Sequence, residues 1–204
     1  MNQSLLIATT NSGKIKEIQA ILSPHIPNLV TARDLGLFIE VLETGETYSE
    51  NAKLKASAFM KASGLPALAD DTGLEVDALR GAPGIFANRF SPKENPTYAD
   101  HRQHLLEELK NQPQPWTAHF VVSMILALPD GNFIETTGRC EGIIIPEEIG
   151  SGGFGYDPIF YLPEYGATMA ELSSSMKNQI SHRANALKAM LPRLIQLYND
   201  NSED

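Results

Sequence analysis

Leu5-Leu6-Ile7-Ala8-Thr9-Thr10-Asn11-Ser12-Gly13-Lys14-Ile15, near the start of the chain, is the stretch whose reading decides the fold. Residues 5–8 are apolar without interruption, as in a buried strand. Residues 9–14 are polar and small. From Ile15 apolar residues return at helical spacing as far as Leu22, and Pro24 stops them. Strand, polar loop and helix in that order predict an α/β protein.

Working outward, the same alternation continues. Thr47 and Glu50 stand in the T-x-x-E spacing of a capping box, ahead of an Ala- and Leu-rich helical run through Met60. Gly64 and Pro66 close that run. Residues 66–69 then lead into Asp70-Asp71-Thr72-Gly73, read as a short strand delivering carboxylates at its C-terminal end. Pro83-Gly84 and Ser91-Pro92 mark loops around a flexible stretch, and residues 98–109 form an amphipathic helix. Residues 118–128 are almost continuously apolar. After the turn Pro129-Asp130-Gly131-Asn132, residues 133–145 pair back as a second long strand, with Gly138 and Gly142 as expected bulges. Residues 158–161 read as a further strand. Thr168 and Glu171 have capping-box spacing for a helix over 170–179, and Ser181 is the expected cap of a last helix to Tyr198, kinked at Pro192. The expected product is a mixed sheet with long central strands and flanking helices, ending in a frayed tail over 199–204.

Composition narrows the function. The 204 residues suffice for one domain or two tightly packed lobes, and 42% hydrophobic with 20% charged residues is ordinary for a chain that buries a core. No apolar run approaches the roughly 20 residues that span a bilayer, and the N-terminus lacks the basic region of a signal peptide. Cys140 is the only cysteine, which excludes an internal disulfide and a cysteine-based zinc cluster and suits a reducing cytosol. A formal charge of −9 with scattered basic residues argues against nucleic-acid binding. A free nucleotide is compatible, because a metal and a few placed cations suffice for it.

The chemistry lies in short motifs. Thr9, Thr10, Asn11, Ser12 and Gly13 before a helix start supply N–H groups and a favourable dipole for phosphate, and Lys14 adds a cation one turn in. This is not a Walker A loop, whose first glycine and last position are missing. An ordinary capped turn is the plain alternative. Asp70 and Asp71 follow an apolar strand, where adjacent acids need solvent or a cation. Hard oxygen ligands there suit Mg²⁺, and strand alternation sends the two carboxylates in opposite directions. An acidic turn is the bland reading. Glu46 and Glu50 are explained by the helix N-terminus, whereas Glu43 has no capping role and is a candidate second metal ligand, with Glu40 as the alternative. Residues 150–155 fit G-x-G-x-x-G formally, but they run into Tyr156-Asp157-Pro158 and a strand instead of opening a helix. Backbone close to a ligand and the aromatic face of Phe154 suit a base better. Lys177, His182 and Arg183 group donors around the start of the last helix.

Together and in this order the pieces resemble the inosine triphosphatase or Ham1-like family (dITP/XTP pyrophosphatases), which acts on non-standard purine nucleoside triphosphates. The matching stretches are T-x-N-x-x-K at 9–14, E-T-G-x-T-x-x-E-N-A at 43–52, A-D-D-T-G-L at 69–74, G-A-P-G-I at 81–85, G-G-F-G-Y-D-P-I-F at 152–160 and S-H-R at 181–183. The resemblance implies an elongated mixed sheet with flanking helices in two α/β lobes, the nucleotide between them, and a homodimer. It implies that Thr9, Asn11 and Lys14 hold the triphosphate and that Glu43 and Asp71 serve Mg²⁺. Asp71 would also accept the proton of the attacking water, with Thr72 lining the site. Phe154, Gly155, Tyr156, Asp157, Lys177, His182 and Arg183 would contact base, ribose and phosphate.

The expected reaction is attack of water at the α-phosphorus of ITP, dITP or XTP, giving the monophosphate and pyrophosphate. Donors from His182 and Arg183 are expected to meet O6 of hypoxanthine or xanthine, where adenine would set donor against donor. Two rivals remain: a Maf-like pyrophosphatase acting on other modified nucleotides, and a nucleotide-binding sensor without catalysis.

Overall fold

The computed structural model describes residues 4–200. Its order is β1 (Leu5–Ile7), α1 (Ser12–Leu22), β2 (Leu29–Thr31), α2 (Tyr48–Ser63), β3 (Ala67–Val76), β4 (Pro83–Gly84), α3 (Tyr98–Leu109), β5 (Trp116–Ala127), β6 (Phe133–Ile144), β7 (Phe160–Leu162), β8 (Ala167–Thr168), α4 (Ser174–Ile180) and α5 (His182–Asp200). The strands are bonded in the order β2-β1-β3-β5-β6-β7-β8, with β4 beside β3. The fold is mixed α/β: β1 runs parallel to β2 and β3, while β4, β7 and β8 pair antiparallel. No helix among the described residues is long and apolar enough to cross a membrane.

The chain divides into two compact units. The first comprises Met1–Asp71, Val122–Gly138 and His182–Asp204. Its β1 alternates with period two: Leu5 and Ile7 pack with Ile18, Leu22, Leu68, Leu187 and Met190, and Leu6 with Ala52, Ala56 and Phe59. Burial on both faces explains why these strand residues read as a continuous apolar run. Alanines on α2 let that helix lie close to the strands. Its start carries the expected capping box between Thr47 and Glu50, and Gly64 ends it in the left-handed conformation, φ 70°.

The second unit comprises Thr72–Val121 and Arg139–Ser181. Its core gathers Leu74, Leu105, Leu109, Trp116, Phe120, Phe160 and Leu162, with the Phe120 and Phe160 rings 4.5 Å apart. A 3₁₀ turn at Ala87–Arg89 and the pairing of Pro83–Gly84 with Leu74 and Glu75 give structure to the stretch expected to be loop. Beyond it, the Ser91 N–H donates to Nδ1 of His101 at 3.0 Å, tying the loop to α3.

Several expectations shift. α1 begins at Ser12, three residues early, because Asn11 caps it. β3 continues to Val76, which sets Asp70 and Asp71 mid-strand and not at its end. Gly138 and Gly142 are points of close approach. A Cβ on Gly138 would lie 2.0 Å from the His182 carbonyl oxygen, and one on Gly142 2.6 Å from the Phe160 ring. Pro158 and Ile159 belong to a 3₁₀ turn, and strand begins at Phe160. At Thr168 the glutamate half of the box forms, with Glu171 accepting from the Thr168 N–H at 2.7 Å. The Thr168 hydroxyl instead donates to the Ile149 carbonyl, and no helix starts there; α4 is capped by Ser173. Ser181 closes α4 and, in extended conformation, directly precedes α5 at the position expected for its cap; α5 extends through Asp200 with Pro192 inside it. From residue 201 the expected tail lies outside the described residues.

Candidate active site

In the first unit the chain leaves β1 and turns into α1 through the threonine-rich loop. Oδ1 of Asn11 accepts from the N–H of Gly13 and of Lys14 at 2.9 and 3.2 Å, and the Asn11 N–H donates to Oγ1 of Thr9 at 3.2 Å. The cap thus shapes the whole loop. Thr10 and Ser12 are exposed on it, and Thr9, Asn11 and Gly13 are half-buried. Lys14 is buried and turned inward, its Nζ 3.0 Å from Oδ2 of Asp70. Burial lowers its pKa, with Lys55 and Arg183 pushing the same way against Asp70.

Asp70 and Asp71 face opposite ways, as strand alternation requires. Asp70 is fully enclosed. Arg183 donates to its Oδ2 through Nε at 3.1 Å and Nη2 at 2.8 Å, and through Nη1 to Glu17 of α1. Burial works against the Asp70 charge, but Lys14, Arg183 and Lys55 outweigh it and hold the carboxyl well below the usual carboxylate range. Arg183 is only 1% exposed and its donors are engaged by Asp70 and Glu17. These bonds tie Arg183 to Asp70 of β3 and to Glu17 of α1. His182, first residue of α5, is likewise buried.

Asp71 belongs to a different constellation. Lys55 Nζ donates to Oδ1 of Asp71 and to Oε1 of Glu43, each at 2.7 Å. Burial raises the Asp71 pKa, Lys55 opposes that, and Glu43 reinforces it. Burial would lower the pKa of Lys55, yet Asp71, Asp70 and Glu43 together raise it. Glu40 is exposed, so Glu43 is the carboxylate that meets Asp71 across a shared cation. Thr72, next along β3, is half-buried.

This donor set fits Mg²⁺ in chemical kind. Two hard carboxylates already converge on one positive charge, and Mg²⁺ commonly takes one or two carboxylates with the remainder from phosphate and water. No cluster of three or more His, Cys, Asp or Glu able to hold a metal occurs among the described residues. Substrate oxygens would have to complete the shell.

The second unit holds the aromatic and cationic candidates. Lys177 Nζ pairs with Oδ2 of Asp157 at 2.6 Å and stands 4.8 Å from the centre of the Phe154 ring. The same Oδ2 accepts the Phe154 N–H at 2.7 Å. Gly153 makes this possible: at φ 70°, a Cβ there would fall 2.0 Å from that oxygen. Arg102 steadies the loop by donating to the Gly155 carbonyl at 2.8 Å and pairing with Glu148. Tyr156 points elsewhere. It is 5% exposed and its hydroxyl donates to the Ala87 carbonyl, so its side chain serves the core.

Lys55 is the residue that motif reading missed. It lies four residues after Asn51 and four before Phe59, both on the buried stripe of α2. A lysine on such a stripe calls for a carboxylate partner, and that signal was available. Glu17, one turn after Lys14, carried no comparable mark.

A family model described as the Ham1 family matches residues 5–193. A dITP/XTP pyrophosphatase of Desulforamulus reducens is 45% identical over 195 residues, 95% of this chain and 96% of that protein. One of a Nostoc species is 42% identical across the full length of both. Among solved structures, a HAM1 protein from Coxiella burnetii superposes with a TM-score of 0.85 at 37% identity, covering 95% of this chain and 99% of the other. The Staphylococcus aureus Ham1 protein gives 0.82 at 38% identity, over 94% and 98%.

Proposed function

The chain belongs to the Ham1 family, and from that premise we propose that it hydrolyses ITP, dITP and XTP to the monophosphate and pyrophosphate, with Mg²⁺, as a cytoplasmic homodimer. The relatives are named for dITP and XTP. The observation that carries the reading is the pair Glu43 and Asp71 converging on Lys55.

In this reading Asp71, its basicity raised by burial, takes the proton of water as the new O–P bond forms at the α-phosphorus. The α–β anhydride bond breaks and pyrophosphate departs with the electron pair. Mg²⁺ held by Glu43 and Asp71 would supply Lewis-acid neutralisation of the phosphate charge. Lys55 and Lys14 add fixed positive charge, and the capped loop at residues 9–14 offers its hydroxyls and the α1 dipole to phosphate oxygens. Base recognition is assigned to the Phe154 face and to Lys177, whose ammonium is a donor only and so suits O6 of hypoxanthine or xanthine. Adenine would bring its amino group against that donor. Cytoplasmic residence rests on the single cysteine.

The test is pyrophosphate release from ITP, XTP, dITP, ATP and GTP, with Mg²⁺ and with EDTA. Metal-dependent turnover of the first three well above ATP and GTP is expected. Activity confined to modified pyrimidine nucleotides would favour a Maf-like enzyme, and binding without turnover a sensor.

A further inference from the structure

We propose that Asn51 is a positioning residue for the carboxylate of Glu43, acting through the backbone N–H of Gly45; the inference rests on the metal reading of Glu43 and Asp71. Asn51 is fully buried in the first turn of α2, and its Oδ1 accepts from the Gly45 N–H at 2.8 Å. Gly45 follows Glu43 by two residues. Four residues along α2 from Asn51 is Lys55, so one helical face carries both the anchor for the Gly45 backbone and the ammonium that meets Glu43. The neighbouring cap holds the next residues, with Oε2 of Glu50 accepting from the N–H of Glu46 at 2.7 Å and of Thr47 at 3.2 Å. Glu43 thereby approaches from a segment tied to the rigid helix.

The residue types at both ends of this tie follow from its geometry. A Cβ on Gly45 would fall 2.6 Å from Cβ of Glu50 and 2.8 Å from Oδ1 of Asn51, so only glycine brings its backbone this close. Asn51 bears a cost: its Nδ2 is buried with no hydrogen-bond partner among the described residues. Leucine shares the branched outline without that unpaired donor but is larger and would release Gly45. Aspartate would keep the acceptor but add a buried charge competing with Glu43 and Asp71 for Lys55. Asparagine supplies an acceptor without charge, which is what holding Glu43 in place requires.

The experiment is titration of the purified protein with Mn²⁺, alone and with inorganic pyrophosphate to supply phosphate oxygens, each against a protein-free control, followed by the loss of the free-ion electron paramagnetic resonance signal, alongside thermal unfolding by circular dichroism. Asn51→Leu is expected to bind Mn²⁺ about 10- to 100-fold more weakly, the scale of losing an outer partner of a metal ligand, at a temperature where its circular dichroism spectrum matches the wild type. A purely structural role would move the melting temperature and leave the Mn²⁺ affinity of the folded protein unchanged. Gly45→Ala, which displaces the same tie from its other end, is expected to weaken Mn²⁺ binding too and decides the matter if Asn51→Leu does not fold. Wild-type affinity in the folded variant overturns the positioning role and leaves the metal site standing. Absence of saturable Mn²⁺ binding by the wild type even with inorganic pyrophosphate present overturns the metal reading and this inference with it.

Discussion

Lys55 Nζ lies 2.7 Å from a carboxylate oxygen of Glu43 and 2.7 Å from one of Asp71, a cation shared by two acids of different surroundings. The Glu43 side chain is 29% exposed and that of Asp71 5%, so Asp71 is the group whose proton affinity the protein controls. Asp71→Asn keeps the volume and removes both the base and a charged ligand. It is expected to lower kcat for ITP at least ~10²-fold, the scale of losing a general base, while the circular dichroism spectrum stays unchanged; near-normal turnover would defeat the role. Asp71, Glu43 and Lys14 stand out in the sequence as one of two adjacent acids after an apolar run, an acid without a capping job and a lysine beside a polar loop, although β3 sets Asp71 mid-strand. Arg183 is legible as a residue of interest, but its ties to Asp70 and Glu17 are not. Its partners Asp70 and Glu17 lie far from it in the chain, and only the fold reveals that its donors are already engaged.

At the level of elements, reading succeeded where local chemistry decides the outcome. The capping box of α2, its glycine stop and the bounds of α3 follow from side chain to backbone bonds that a few neighbouring residues complete among themselves. It failed where a distant partner competes. Thr168 has the spacing of a cap, but the Ile149 carbonyl claims its hydroxyl, and β3 outruns its expected end because β4 returns to pair with Leu74 and Glu75. α3 carries a prediction of its own. Nδ1 of His101 accepts the Ser91 N–H, which requires that nitrogen to be unprotonated, and burial first of all lowers the His101 pKa. The unfolded chain then binds a proton more readily than the folded one below about pH 6.5. Stability from this contact is therefore full above that pH and is lost as pH falls toward the depressed folded value. His101→Gln is expected to flatten the dependence of melting temperature on pH between about 5 and 7, measured by calorimetry; an unchanged slope would remove His101 as its source.

For the whole molecule, the proposed homodimer is the next property to measure. Light scattering on size-exclusion fractions is expected to give about twice the 22.3 kDa chain mass; a monomer at every concentration would overturn it. Phe38, 87% exposed, and Leu42, 74% exposed, stand on the outer side of a segment whose Leu37, Ile39 and Val41 pack inward, and they are the first residues to substitute. Gly138 bears on how such variants are read. The start of α5 rests against the bare backbone of β6, where an added methyl carbon would intrude on the His182 carbonyl and, at 2.6 Å, on the Ala186 nitrogen. The register that delivers Arg183 to Asp70 is thus set by an atom that is missing. A change at residue 138, which carries no functional group and touches no substrate in the proposed reaction, would register in assays as damage to the charged network. Scanning side chains for function would pass over it, because its contribution is an absence.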